Sequence, residues 1–226
     1  MTFTIKSILS GLILLAMSQA FSQEPIRYLA LGDSYTLGEK VAKAESWPYQ
    51  LTAYLNSEGY AVQDPEIIAV TGWRTDELRD SIVSQNYRPD SFDLVSLLIG
   101  VNNQYQNKPF KKFKTEFEDL VQTAISLSAQ DEKGVFIVGI PDYSLSEFAQ
   151  EENFKNVSSR LKRYNRYIEK ISQRYGLAYY PLQKLSRPLH REKAMLAEDL
   201  LHPSGEQYRV WVESFKEHVV EQLKRF

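Results

Sequence analysis

A serine hydroxyl is a poor nucleophile until a neighbouring base takes its proton, and a neutral imidazole is the usual base near neutral pH. The chain has three histidines, and their surroundings differ. His202 stands in Asp199-Leu200-Leu201-His202-Pro203. Asp199, three residues earlier, can turn back to hold its Nδ1–H, and Pro203 keeps residue 202 away from helical geometry. His190 falls in a basic stretch and His218 on the last amphipathic segment, where solvated roles are expected. Asp-x-x-His alone is a common pattern, so its meaning depends on a nucleophile elsewhere. Ser34 supplies one, in Arg27-Tyr28-Leu29-Ala30-Leu31-Gly32-Asp33-Ser34-Tyr35-Thr36. There an apolar, β-prone run ends in glycine and passes into small polar residues, the pattern of a buried strand feeding a tight turn. Serines are frequent in turns for ordinary hydrogen-bonding reasons. Together, Ser34, His202 and Asp199 meet the geometric logic of a Ser-His-Asp triad.

The elements that must position these residues follow from periodicity. Ile26 to Leu31 reads as the first strand. Trp47, Leu51, Tyr54 and Leu55 fall at helical spacing, with Ser46 as N-cap, Pro48 in the first turn and Gly59 as the stop. Glu66 to Val70 is a second strand and Thr75 to Val83 a second helix. Phe92 to Ile99 is apolar enough to be covered on both faces, as central parallel strands are. Phe113, Phe117, Leu120, Val121 and Ala124 mark a helix before a fourth strand at Gly134 to Ile140. Phe154, Val157, Leu161, Tyr164, Ile168, Ile171 and Tyr175 recur in steps of three and four, an amphipathic helix ending at Gly176. Leu177 to Tyr180 is a fifth strand, and Tyr208, Trp211, Phe215, Val219 and Leu223 close the chain as one final helix. Alternating strands and helices imply parallel pairing through right-handed crossovers, hence an α/β fold: a three-layer α/β/α, flavodoxin-like, five-stranded parallel sheet. In such sheets ligands sit outside the carboxyl ends of the strands. Ser34 follows the first strand, Gly72 the second and Asn102 the third, while His202 lies in the long loop after the fifth.

Composition bounds the rest. Residues 1–22 read as a cleaved leader: Lys6 gives a positive start, Ile8 to Met17 a short apolar run, and Ser18-Gln19-Ala20 or Ala20-Phe21-Ser22 a small-residue cleavage site. No segment is apolar for the ~18 residues that spanning a bilayer needs. The expected mature chain, 23–226, is roughly 200 residues, one domain with a sizeable core. It contains no cysteine, so packing alone must hold it. With 27 basic and 29 acidic residues and no long single-sign block, composition recommends neither nucleic acid nor an anionic membrane as partner. No metal or cofactor is expected. His190-Arg191-Glu192 lacks the second histidine of a zinc-protease helix, and there is no Walker loop.

Four blocks in order carry a resemblance: Gly32-Asp33-Ser34-Tyr35, Thr71-Gly72-Trp73-Arg74-Thr75, Ile99-Gly100-Val101-Asn102-Asn103 and Asp199-Leu200-Leu201-His202-Pro203. With them the sequence resembles the GDSL esterase/lipase family, also called SGNH hydrolases. The resemblance implies the SGNH hydrolase fold and a carboxylic ester hydrolase with Ser34, Asp199 and His202 as triad. It assigns the oxyanion hole to the backbone N–H groups of Ser34 and Gly72 and the side-chain amide of Asn102. Taken alone, Gly72 reads as a turn glycine and Asn102 as an Asx-turn. The family's third block usually reads Gly-x-Asn-Asp, and this chain has Asn103 where the Asp would be. Asp33 is expected to brace the turn. Tyr35, Trp73 and Tyr105 adjoin the blocks, and Tyr143, Leu145 and Phe148 follow the fourth strand, so Tyr35, Trp73, Tyr105 and Tyr143 are the candidate substrate-binding residues. The expected substrate is a small or carbohydrate-linked acyl ester met by an exported enzyme, periplasmic or extracellular. Lysophospholipase and thioesterase activities are the alternatives within the family. A carbohydrate- or phosphate-binding module on the same fold is the alternative outside it, although such a module needs neither a base nor its orienter.

Overall fold

In the first strand every side chain is apolar or small up to Asp33, and all six residues are buried, so both faces of the strand must be covered by helices. The computed structural model describes residues 24–226; the expected leader, 1–22, lies outside them. Along the chain come β1 (Tyr28–Asp33), the single turn α1 (Ser34–Leu37), α2 (Trp47–Ser57), β2 (Glu66–Val70), α3 (Thr75–Gln85), β3 (Leu94–Leu98), α4 (Val101–Tyr105) and α5 (Phe110–Leu127). They are followed by β4 (Val135–Val138), α6 (Glu147–Glu151), α7 (Val157–Arg174), β5 (Ala178–Tyr180), α8 (Gln183–Leu189), α9 (Gly205–Glu213) and α10 (Lys216–Leu223). The five strands form one parallel sheet in the order β2-β1-β3-β4-β5, the flavodoxin-like order. Helices α2, α9 and α10 pack together on one face, and α3, α5 and α7 on the other.

The register places the site. Asp33 pairs with Val70, and Gly32 lies level with Ala69 on one side and Leu98 on the other. The chain therefore leaves β1, β2 and β3 at the same height, which brings residues 34, 72 and 102 to a common edge. β1, β3 and β4 are buried throughout, whereas β2 and β5, at the sheet margins, are partly exposed. Aromatic side chains fill both layers. Trp47 meets Phe136 and Phe215 at 6.3 and 6.1 Å on one face, and Phe113 meets Tyr164 at 4.4 Å on the other. Burial of such a side chain is worth about 1.5–3 kcal/mol. Among the described residues no helix is long and apolar enough to cross a membrane.

Four sequence expectations change. The final segment is two helices, because the backbone breaks between Ser214 and Phe215 while the buried positions keep their helical spacing. The third and fourth strands are shorter than the apolar runs, 94–98 and 135–138. Phe154 precedes α7, which starts after Asn156 at φ +58°, and its ring packs on Tyr105 instead. The stretch expected to be a long loop after β5 contains α8, whose C-terminal cap is His190; that histidine is buried, not solvated.

Candidate active site

Ser34 begins α1 directly after β1, and Asp33 makes that abrupt change of direction possible. Its carboxylate caps α1, Oδ1 accepting from the Tyr35 N–H at 3.1 Å. Burial pushes its carboxyl up to about 7, against the opposing pull of N–H groups of Tyr35 and Gly100. Asp33 therefore braces the turn that follows β1, as expected. Gly32 is required by close approach. A Cβ there would meet Thr36 Oγ1 at 2.1 Å and the Leu98 carbonyl at 2.5 Å, so any side chain would lift the turn off the sheet.

The loop carrying His202 is tied at both ends. Leu196 and Pro203 form an antiparallel bridge, and the Ala197 N–H donates to the His202 carbonyl at 2.8 Å. Within it Asp199 Oδ1 accepts from the N–H groups of Leu201 and His202, at 3.1 and 2.9 Å, while Oδ2 accepts from His202 Nδ1 at 2.6 Å. This wrap forces Leu200 into the left-handed region, φ +57°, a cost that a single polar-anchored turn can sustain. Burial pushes the Asp199 carboxyl up, but the His202 ring and the two N–H groups outweigh it and hold the carboxyl below its ordinary value. With Nδ1–H committed to Asp199, Nε2 is the nitrogen left to accept a proton. Tyr35 sits edge-on to the His202 ring at 5.8 Å and edge-on to Trp211 at 5.9 Å.

Sequence reasoning missed the support beneath this loop. His190 is buried, its Nδ1–H donating to the Ser186 carbonyl at 2.9 Å, and its Nε2 turns toward the Leu201 backbone without completing a hydrogen bond. Burial lowers its pKa, which keeps the ring neutral. Ser186 in turn accepts from the Asp142 N–H at 2.8 Å, so the loops after β4 and before α9 share one polar foundation. The basic neighbours Arg187 and Arg191 made this histidine look like a surface residue; only its place at the end of α8 reveals otherwise.

Gly72 holds φ +84°, a left-handed conformation that glycine adopts without strain. Its carbonyl accepts from Gln106 Nε2 at 3.1 Å, and Arg74 Nη1 anchors Gln106 Oε1 at 2.8 Å. Among the described residues the N–H groups of Ser34 and Gly72 have no acceptor. Asn102 donates one amide hydrogen to the Trp73 carbonyl at 3.0 Å, which leaves its second hydrogen uncommitted. Asn103 has a different task. It is buried, accepts from the Thr75 N–H at 3.1 Å and donates to Thr75 Oγ1 at 2.7 Å, and Thr75 Oγ1 donates to buried Glu116 at 2.6 Å.

Ser34, Gly72, Asn102 and His202 line one cleft of about 220 Å³, together with Tyr35, Tyr105 and Tyr143. Ser34 and His202 share it without a hydrogen bond between them; such contacts often close only around substrate. Tyr143 is fixed by its hydroxyl, which donates to Gln104 Oε1 at 3.1 Å, and Phe148 also lines the cleft. Trp73 does not line the cleft. Its ring packs on the core and its backbone, not its indole, serves the site. The lining contains no Lys, Arg, Asp or Glu.

Three solved structures illustrate what this chain is similar to. Esterase EstA from a Pseudoalteromonas species, solved inhibited by monoethylphosphonate, is 16% identical and superimposes with a TM-score of 0.63 over 88% of this chain and 99% of that one. TesA is 15% identical, with a TM-score of 0.66 over 87% of this chain and 99% of that one. Axe2, an acetylxylan esterase from Geobacillus stearothermophilus, is 15% identical, with a TM-score of 0.62 over 84% of this chain and 92% of that one. At these identities the likeness is one of fold. No curated protein matches the chain. The model of the GDSL-like lipase/acylhydrolase family, however, matches residues 30–210, a span that runs from β1 through the His202 loop into α9. On that match the protein belongs to the GDSL-like lipase/acylhydrolase family and is a carboxylic ester hydrolase.

Proposed function

We propose that this hydrolase is a serine esterase in which Ser34, His202 and Asp199 cleave short acyl esters of small or carbohydrate alcohols. The observation that carries the reading is the 2.6 Å bond from His202 Nδ1 to Asp199 Oδ2 in a ring that shares a cleft with Ser34. His202 Nε2 takes the Ser34 proton as Oγ attacks the ester carbonyl, and the imidazolium is stabilised by Asp199. Negative charge developing on the carbonyl oxygen is met by the N–H groups of Ser34 and Gly72 and the second amide hydrogen of Asn102. His202 then gives its proton to the departing alcohol, leaving an acyl ester on Ser34. Water attacks that ester with the same histidine as base, which restores the serine and releases the acid. A cleft of about 220 Å³ lies below the ~300–1,000 Å³ of typical ligand pockets, and this favours a short acyl group. Its uncharged lining favours an acyl group that is neutral. The apolar run at residues 8–17 is the basis for proposing export, with the enzyme acting on esters outside the cytoplasm.

A fluorophosphonate tests the reading. One label on Ser34 with complete loss of p-nitrophenyl acetate hydrolysis is expected, and Ser34→Ala should be inactive with an unchanged melting temperature. Label at another residue accompanied by full inactivation would refute the assignment.

A further inference from the structure

Cations and carboxylates are unevenly matched over this molecule. On α9 and α10, Arg209 pairs with Glu206 at 2.6 Å and Lys216 with Glu213 at 2.8 Å. The surface shared by α5 and α7 is different. Residues 155–174 hold seven Lys and Arg against one acidic residue, Glu169, and residues 108–114 hold four lysines and no acidic residue, in a chain of formal net charge −2. The two helices run side by side in the same direction. Phe110 meets Tyr164 at 4.9 Å, Tyr167 donates to the Lys114 carbonyl at 3.0 Å, and Arg174 meets Glu118 at 2.7 Å. Their ion pairs are Lys112 with Asp76 and Glu116, and Arg174 with Glu118. Glu169 lies toward Tyr179, on the β5 side of α7. The other nine of these eleven cations, Lys111, Lys114, Arg163, Arg166 and Lys170 among them, have no carboxylate partner among the described residues.

Two of these cations, Arg163 and Lys114, are held against aromatic rings, and the N-terminal end of α7 lies beside the cleft. The Arg163 guanidinium lies 4.0 Å from the Phe110 ring centroid and Lys114 Nζ 5.8 Å from that of Tyr167, contacts that keep the charges against the helix surface. At the N-terminal end of α7, Arg160 donates to the Gln104 carbonyl at 2.6 Å. The next residue, Tyr105, lines the cleft yet is 43% exposed, and it meets the 37% exposed Phe154 edge-on at 5.5 Å. The unpartnered cations of α7, from Arg160 to Lys170, thus form a track about 15 Å long at 1.5 Å per residue, which runs away from an aromatic rim, while the cleft itself is uncharged.

The geometry points to an anionic polysaccharide as the substrate class, acyl-esterified on its sugar hydroxyls and bearing uronate carboxylates. Those carboxylates lie along Lys111, Arg163, Arg166 and Lys170 while one neutral ester enters the cleft. The inference rests on the esterase reading above. Apolar faces of sugar rings stack on Tyr105 and Phe154, and the carboxylates meet charges that nothing else among the described residues neutralises. An anionic membrane would also find charge here, but among the described residues Tyr105 and Phe154 are the large exposed apolar side chains beside α5 and α7, since Leu37, Val70, Val83 and Phe226 lie on other segments.

Acetylated polygalacturonate, neutral acetylxylan and p-nitrophenyl acetate should be compared as substrates at about 20 and about 500 mM salt, where the screening length falls from roughly 20 to 4 Å. Raising the salt should increase KM for acetylated polygalacturonate about tenfold and leave kcat unchanged, with little effect on the other two substrates. The exposed triple variant K111E/R166E/K170E should reproduce that rise at low salt, with p-nitrophenyl acetate turnover and melting temperature as in the wild type. If the wild type cleaves p-nitrophenyl acetate but its KM for the anionic polymer ignores salt, the inference is overturned alone. If it cleaves no ester, the esterase reading falls and the inference with it. Unmodified polygalacturonate should bind the wild type directly. Binding to phosphatidylglycerol vesicles in its place would overturn the polysaccharide in favour of a membrane.

Discussion

Replacing Asn103 with the aspartate usual in this family should destabilise this protein, because Glu116 occupies the other side of the same hydroxyl. Thr75 Oγ1 accepts from Asn103 Nδ2 and donates to Glu116 Oε2. A hydroxyl has one proton to give. In Asn103→Asp the ionised carboxylate has no donor, so two buried carboxylates compete for the Thr75 proton while Lys112 relieves only Glu116 Oε1, at 3.2 Å. Losing the amide bond and leaving a charge poorly paired is worth about 2–4 kcal/mol. At about 2–4 °C per kcal/mol for a domain of this size, melting should drop by roughly 5–15 °C at pH 8. The sign of the pH effect is fixed. The new carboxyl has a folded pKa above its unfolded value, so the penalty is present at pH 8 and shrinks toward pH 5, where its O–H can donate to Thr75. Adding Glu116→Gln supplies a donor to Thr75 and should restore most of the loss. Circular-dichroism melts of the wild type, both single variants and the double variant at the two pH values give the coupling directly. In the single variant, kcat on p-nitrophenyl acetate should change by no more than a few-fold, since Asn103 holds Thr75 rather than substrate. An unchanged melting temperature combined with a hundredfold loss of kcat would refute this account and put residue 103 in the chemistry.

Two further outcomes are expected. Asn102→Ala should lower kcat and kcat/KM together by about 10²–10³ with KM nearly unchanged, as removal of one oxyanion donor does; a rise in KM at constant kcat would make Asn102 a ground-state contact. Asp33, with a folded pKa of about 7 against an ordinary 3.8, keeps a proton that the unfolded chain has released. Its contribution to stability therefore declines as pH rises between those values. Asp33→Asn keeps an acceptor for Tyr35 and should remove that decline in urea unfolding between pH 5 and 8, and an unaltered slope would show that Asp33 is ionised throughout.

The fold was legible because a buried parallel sheet writes itself as continuous apolar runs. All five strands, and the arrival of residues 34, 72 and 102 at one edge, follow from where those runs stop. What periodicity records is which side chains face the core, not which amides are bonded. Tyr208, Trp211, Phe215, Val219 and Leu223 therefore read as one helix, although Phe215 has left the helical backbone, φ −139°, to stack on Tyr180 at 5.0 Å. The same limit hid His190, because its burial depends on where the end of α8 packs rather than on its charged neighbours. Trp73 looked like a stacking surface from its position beside Gly72, yet its ring packs on the core and its carbonyl, which accepts from Asn102, is what faces the site. Asn102 was set apart from Asn103 by its match to the family's Gly-x-Asn, but Asn103 bonds Thr75, and the reason for asparagine there lies in Glu116, thirteen residues away on another helix.

The sheet's strand ends divide the cleft's components by origin. The ends of β1, β2 and β3 and the loop before α9 carry every residue assigned to bond breaking, whereas the β4 end carries Tyr143 and Phe148, which only enclose. A boundary of that kind separates what must be inherited intact from what is free to drift. Residues 142–154 can change in length or composition without altering the register that aligns Ser34 with Gly72 and Asn102. Transplanting that segment between members of the fold, with Asp142 kept so that its link to Ser186 survives, is therefore a route to new selectivity on an unaltered reaction.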